Sequence, residues 1–196
     1  MNVLMNTASK YTALQQNEFS YSDYVLVPIR SEDMESIRQW RNAQMSVLRQ
    51  SVKLSQDDQK LYFENVIKSS FADKQTKQLL FSFIKNNQLI GYGGLVNISW
   101  KDKRAEMSFL LDDQRAQKKI QYKEDMANFI CLIKKVIFEE MKFNRVFTET
   151  FAFRTFHISI LEENGYVKEG SLREHIFESS KFYDSIIHGI VKGDVL

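Results

Sequence analysis

The chain has 196 residues, 27 Lys and Arg against 25 Asp and Glu, and one cysteine. A formal charge of +2 without a long basic run excludes a nucleic-acid-binding surface, and a lone Cys131 excludes an internal disulfide or a cysteine-cluster metal site. No apolar run approaches the ~20 residues of a membrane helix, and Met1–Ser20 lacks the apolar centre of a signal peptide, so a cytoplasmic protein with no membrane partner is expected.

In chain order, residues 1–20 are Asn-, Gln-, Ser- and Thr-rich and read as a polar N-terminal arm or an added edge element; residues 21–196 read as a single domain. Tyr24–Ile29 is a short strand, with Pro28, the one proline, marking an edge or an end. Ser31 is a candidate helix N-cap, followed by Glu32, Asp33 and Glu35 at the positive end of the helix dipole. Ser55-Gln56-Asp57-Asp58 opens a second helix as a capping box, with Leu61, Tyr62, Val66 and Ile67 facing inward. A hairpin follows, Leu79–Ile84 and Leu89–Ile98, turning at Asn86-Asn87, because Asn tolerates positive φ. Ala105–Leu111 is a strand. A long helix runs from Tyr122 to Met141 with Met126, Phe129, Ile130, Ile133 and Ile137 on one face. Val146–Phe151 is a strand, Thr155–Glu163 a short helix and Asn164-Gly165 its stop. Tyr166–Lys168 and Phe182–Val191, separated by an acidic–polar loop, are the last strands.

Several phrases carry a resemblance: Ile29-Arg30-Ser31-Glu32-Asp33 leading into Ile37-Arg38-Gln39-Trp40-Arg41-Asn42; Leu161-Glu162-Glu163-Asn164-Gly165-Tyr166 with Glu169-Gly170; and Lys181-Phe182-Tyr183-Asp184. In this order they resemble the GNAT-type N-acetyltransferase superfamily, in its ribosomal-protein and nucleotide-amino-sugar branch. The resemblance implies an α/β (α+β) GNAT fold: a mixed, mostly antiparallel sheet of about six to seven strands, flanked by four to five helices and splayed at its centre. It implies acetyl-CoA as acyl donor and a nucleotide-linked amino sugar of surface-polysaccharide or flagellar glycan synthesis as acceptor. Two alternatives stay open, a catalytically silent GNAT-fold binding protein and an acyltransferase using another donor.

The resemblance also assigns residues. Glu106, on the strand between donor and acceptor, orients the amine or accepts its proton; the alternative is a surface ion pair with Arg104 or Lys103. The acyl arm would lie on the backbone of Phe109, Leu110 and Leu111. The donor's pyrophosphate loop aligns with Gln121, Tyr122, Lys123, Glu124, Asp125 and Met126, where Glu124 and Met126 replace the family's glycines and Arg115, Lys118, Lys119 and Lys123 supply charge. A carboxylate ~4–5 Å from a phosphate costs roughly 3–4 kcal/mol at an effective dielectric of ~20. The family's acid Tyr corresponds to Leu161 and its helix-opening Asn to Arg154. Trp40, Arg41, Asn42, Tyr62, His175 and Tyr183 are candidate acceptor contacts, with Trp40 as a core anchor and His175 as a solvated side chain the plain alternatives. His188 and Cys131 read as structural. Three scattered His give no metal site. Exposed edge strands make a homodimer possible.

Overall fold

The computed structural model describes residues 9–195; residues 1–8 of the expected arm, and residue 196, lie outside the described residues. Eight strands form one sheet in the order β1-β2-β3-β4-β5-β6-β8-β7. They are β1 (Phe19–Tyr21), β2 (Tyr24–Pro28), β3 (Leu79–Lys85), β4 (Gln88–Ser99), β5 (Arg104–Leu111), β6 (Arg145–Phe151), β7 (Val167–Glu178) and β8 (Lys181–Val191). Every neighbouring pair is antiparallel except β5–β6. The eighth strand is β1, which the polar N-terminal composition hides. Two apolar residues anchor that stretch: Leu14 is buried, and Tyr11 is buried with its hydroxyl donating to the Leu80 carbonyl at 2.6 Å.

Alternating strand residues feed two cores on opposite faces of the sheet. On one face Leu79, Phe81, Phe83, Leu95 and Leu111 meet α5 (Lys119–Lys134) and α6 (Thr155–Glu163). The expected stripe of Met126, Phe129, Ile130 and Ile133 is buried there, each side chain contributing ~1.5–3 kcal/mol. On the other face Leu80, Tyr92 and Leu110 meet Ile37 and Trp40 of α1 (Met34–Ala43), together with Phe63 and Ile67. Helix α6 stops as expected: Gly165 takes φ +88°, and the Gly165 and Tyr166 amides return to the carbonyls of Glu162 and Leu161, both at 3.0 Å. The Asn86-Asn87 tip also forms, with φ of 48° and 62°.

Three local expectations change. Ser31 does not cap α1; it opens a 3₁₀ turn, Ser31–Asp33, because Asp33 turns inward to accept from Arg30 and the Ser82 hydroxyl. The Ser55–Asp58 capping box forms on α2 (Gln56–Tyr62), but the helix passes into a π turn, Phe63–Ile67, before α3 (Lys68–Ala72). Its buried face is therefore Gln59, Phe63 and Ile67, while Leu61, Tyr62 and Val66 are exposed. Finally, the acidic–polar loop is strand. β7 runs to Glu178 and turns at Ser179-Ser180 into β8, with register shifts after Lys168 and Leu172. An edge hairpin with most of β7 exposed carries no apolar alternation to reveal it.

Candidate active site

The sheet opens between β5 and β6. Their parallel ladder covers only Arg104–Glu106 against Arg145–Phe147, so the edge of residues 107–111 facing β6 has no strand partner. Glu106 is at the last paired position. It is buried, and its carboxylate accepts from Asn97 Nδ2 at 2.7 Å and Arg49 Nη2 at 2.8 Å. A bulge between Val96 and Ser99, with Asn97 at φ 49°, aims the Asn97 amide at Glu106. The alternative, a surface pair of Glu106 with Arg104 or Lys103, does not form; Arg104 lies by Asp102 at 3.7 Å.

Arg49 also donates to Glu149 Oε2 on β6 at 3.0 Å, and His175 Nε2 stands 3.7 Å from Glu149 Oε1. Arg49, Glu106 and Glu149 border a cleft of about 200 Å³, also lined by Phe109, Arg154 and His157, whereas His175 lines a separate cavity beside it. Val47, Arg154 and His157 also line a second cavity, which reaches Ala116, Tyr122 and Phe156 beside α4 (Asp113–Ala116) and α5. The wall between the two is a hydrogen-bonded set. Tyr122 Oη lies 2.7 Å from His157 Nδ1, and Arg154 Nη2 donates to Tyr122 Oη at 3.1 Å. Burial, with the nearby Arg154 and His188, holds the His157 pKa well below the ordinary imidazole value, so the ring is neutral; Arg154 Nη2, which can only donate, also faces Nδ1 at 3.3 Å, and this assigns Nδ1 as the acceptor for the Tyr122 hydroxyl. Burial likewise raises the Tyr122 phenol.

The expected pyrophosphate loop is not a loop. Gln121–Met126 lie inside α5, whose first residue is Lys119. Met126 is in the core, and Asp125 is fully buried, accepting from Arg115 at 2.9 and 3.0 Å, Gln121 at 3.0 Å and Tyr24 at 2.9 Å. Glu124 is held by Lys85 at 2.8 Å, with its pKa lowered by that bond, and Lys123 by Glu163 at 2.7 Å. The Glu124 carboxylate, which also accepts from the Tyr24 hydroxyl, is thus engaged within the protein. The helix-start N–H groups belong to Lys119, Ile120 and Gln121. Of the four basic residues expected nearby, Lys118 and Lys119 form no ion pair among the described residues.

The acceptor candidates separate. Arg41 lines the cleft and donates to Tyr92 Oη at 2.6 Å and to Gln50 Oε1 at 2.9 Å. Trp40 is a core anchor, buried against Ile37 and Tyr92, so it has no free ring face. Asn42 is a loop staple: it donates to the Leu54 carbonyl and accepts from the Leu54 amide. Tyr62 borders a neighbouring apolar cavity and donates to Gln78 at 3.1 Å. Tyr183 packs edge-on against Phe153 at 4.9 Å and is not among the residues lining the cleft. Leu161 is core, as is Leu110; Phe109 packs on Phe129 and faces the cleft. His188 is fully buried beside Glu162, and Cys131 is half-buried. Sequence reading gave no role to Arg49, Glu149 or His157, since a segment without periodicity, a strand residue and a helix residue meet only in space. No group of three His, Cys, Asp or Glu among the described residues is arranged to hold a metal ion, and no described helix is long and apolar enough to cross a membrane.

The family model for the acetyltransferase (GNAT) domain matches residues 26–187. The chain belongs to the GNAT acetyltransferase family. This is a family of transferases, and the fold agrees with solved GNAT structures. The spermidine N-acetyltransferase from Vibrio cholerae in complex with CoA and spermine superimposes at a TM-score of 0.75, with 18% identity over 89% of this chain and 98% of that one. A GNAT-family acetyltransferase from Bacillus anthracis gives 0.71, with 14% identity over 90% and 99%. In sequence, the chain is similar to the SPbeta prophage-derived uncharacterized N-acetyltransferase YokL of Bacillus subtilis, 32% identical over 63 residues. That match spans 32% of this chain and about a third (36%) of the relative's length.

The GNAT fold implies an acetyl-CoA donor, and the residues present fit one. The unpaired edge of β5 and the two adjoining cavities, which share Val47, Arg154 and His157 as lining, lead from Glu106 toward the helix start. The path is narrowed at one point, where Gln44 Nε2 donates to the Leu111 carbonyl at 2.8 Å. Glycine is absent between Gly94 and Gly165, so phosphates would be gripped by Lys118, Lys119 and the first α5 amides.

Proposed function

We propose that this protein is an acetyl-CoA-dependent N-acetyltransferase acting on the primary amine of a small molecule, with Glu106 as the base. The observation that carries the reading is a buried carboxylate at the point where β5 and β6 part, at the head of a path that leads toward a helix N-terminus. Bound there, the donor supplies an acetyl thioester. Glu106 takes a proton from the incoming ammonium, directly or through one water, to give the neutral amine that attacks. The backbone of residues 107–111 facing the splay offers hydrogen-bond donors to the carbonyl oxygen as it gains charge. As the C–S bond breaks, Arg154, bordering both cavities, would balance the charge of the departing thiolate, which takes the second proton that the nitrogen sheds on becoming an amide.

The nucleotide-linked amino sugar expected from the sequence is one form of this acceptor, and its support is the Arg41 guanidinium beside the cleft. The spermidine and spermine named for the Vibrio protein are another. A cytoplasmic setting follows from the donor's supply, and a homodimer would use the exposed β7 edge. The test is thermal unfolding with acetyl-CoA. At 100 times its dissociation constant a ligand selective for the folded state stabilises by ~2.7 kcal/mol, a rise of about 5–10 °C for a chain this long. Lys119→Glu should reduce that rise. An unchanged melting temperature in millimolar acetyl-CoA overturns the proposal.

A further inference from the structure

Arg49 reaches the cleft from the segment between the 3₁₀ turn Met45–Val47 and α2, and its guanidinium bridges two carboxylates on diverging strands. Its side chain is 49% exposed, whereas those of Glu106 and Glu149 are 9% and 15% exposed. Among the described residues it makes no other side-chain hydrogen bond, and Glu149 Oε1, although shielded from solvent, has no hydrogen-bond partner. Two shielded carboxylates repel unless a cation stands between them, and an unfilled buried acceptor marks a missing donor. An alkylammonium has three N–H donors where the bridging Arg49 nitrogen offers two. It matches Glu106 Oε1, Glu149 Oε2 and the unfilled Oε1.

The apolar cavity beside Tyr62, of about 260 Å³, joins the cleft, since Arg41, Val96 and Ser108 line both. Its walls are mostly apolar, with Ile29, Ile37, Phe63, Leu80 and Tyr92 prominent, and Asp58, Gln59 and Gln78 are polar residues at its border. The Arg41 guanidinium beside it donates to the neutral acceptors Tyr92 and Gln50 and keeps its positive charge, which disfavours further cations there. An apolar cavity of roughly 150 Å³ holds a benzene molecule, so this one has room for a ring-sized group.

We propose that the acceptor is a primary amine with a single positive charge on an apolar, ring-sized body. Its ammonium displaces the Arg49 guanidinium from between Glu106 and Glu149, and its body fills the cavity beneath α1 and α2. The proposal rests on the cleft being the acetyl-transfer site. A polyamine would meet one carboxylate there, Asp58, which is already held by the Ser55 cap, and would otherwise set its further charges against Ile37 and Phe63 beside the Arg41 guanidinium; a nucleotide-linked sugar would bring a diphosphate toward two carboxylates, and both are disfavoured by desolvation or repulsion.

The test is calorimetric titration of the donor-free protein with 2-phenylethylamine, spermidine and glucosamine. The expected result is saturable binding of 2-phenylethylamine, at least tenfold tighter than the other two. Arg49→Ala should tighten it several-fold by removing the internal competitor. Leu54→Trp, which fills the cavity from a half-buried position on its wall, should weaken it at least tenfold. Equal or tighter binding of spermidine or glucosamine overturns the proposal, as does unchanged or weaker binding by Arg49→Ala. The circular dichroism of each variant verifies folding. Acetyl-CoA binding is measured separately. A protein that binds 2-phenylethylamine but no acetyl-CoA refutes the acetyltransferase reading alone. One that binds acetyl-CoA and acetylates spermidine but not 2-phenylethylamine refutes the acceptor class alone.

Discussion

Replacing Asp125 with alanine separates a structural tie from a cofactor loop. In the structure Asp125 is fully buried and is the acceptor for both Arg115 donors at 2.9 and 3.0 Å, for Gln121 at 3.0 Å and for the buried Tyr24 hydroxyl at 2.9 Å. Its removal leaves a largely shielded guanidinium without its counter-charge. Tyr24 keeps a second acceptor, Glu124, at 2.9 Å, so the loss falls mainly on Arg115. Breaking a buried pair in this way costs ~3–5 kcal/mol. At ~2.1 cal/mol/K per residue the unfolding entropy of the chain is on the order of 400 cal/mol/K, so Asp125→Ala should lower the melting temperature by about 7–12 °C. Asp125→Asn, which keeps the shape and one acceptor, should fall between that value and wild type. Thermal unfolding followed by circular dichroism measures both. A melting temperature for Asp125→Ala within ~2 °C of wild type would mean that Asp125 faces solvent, and the placement of Gln121–Met126 inside α5 would be refuted.

Other outcomes follow from the same geometry. Glu106→Gln should lower kcat by roughly 10²–10⁴-fold with little change in acetyl-CoA affinity, and full turnover in that variant would remove Glu106 as the base. The folded-state pKa of His157 is depressed, so the unfolded chain binds the extra proton first. Stability from this group is complete above pH ~6.5 and declines as the pH falls toward the lower folded value. Urea midpoints should therefore drop between pH 6.5 and 5, and the drop should shrink in His157→Gln; an equal slope in both proteins would contradict the buried neutral imidazole. Gly94 takes φ +149°, and a Cβ there would lie 2.0 Å from the Leu79 carbonyl oxygen. Gly94→Ala should cost about 2–5 kcal/mol from strain and overpacking, read as a lower urea midpoint at an unchanged slope; a wild-type midpoint would refute the close β3–β4 approach.

Much of the fold was legible because its elements carry strong local codes. The stripe from Met126 to Ile133 on α5, continued by Ile137 in the π turn Lys135–Glu140 into which the expected long helix passes, the Asn86-Asn87 turn and the Asn164-Gly165 stop each follow from periodicity or from tolerance of positive φ. The misread elements have codes that tertiary structure overrides. The π turn at Phe63–Ile67 rotates the buried face of α2 away from Tyr62, and β7 is an exposed edge strand with register shifts. Helix α5 begins at Lys119, earlier than its apolar stripe suggests, because the polar first turns pair with Arg115, Lys85 and Glu163 rather than with the core. The site was half legible. Glu106 followed from its strand. Its partner Arg49 lies 57 residues away, and Glu149 is 100 residues from Arg49, so no local pattern joins them.

The most direct test of the central claim is product formation. Purified protein incubated with acetyl-CoA and a panel of primary amines should release free CoA thiol and an N-acetylated amine in equal amounts, seen together by thiol titration and mass spectrometry. The Glu106→Gln variant should suppress both. Thiol release without any acetylated amine across the panel, or no thiol release at all, would contradict the account.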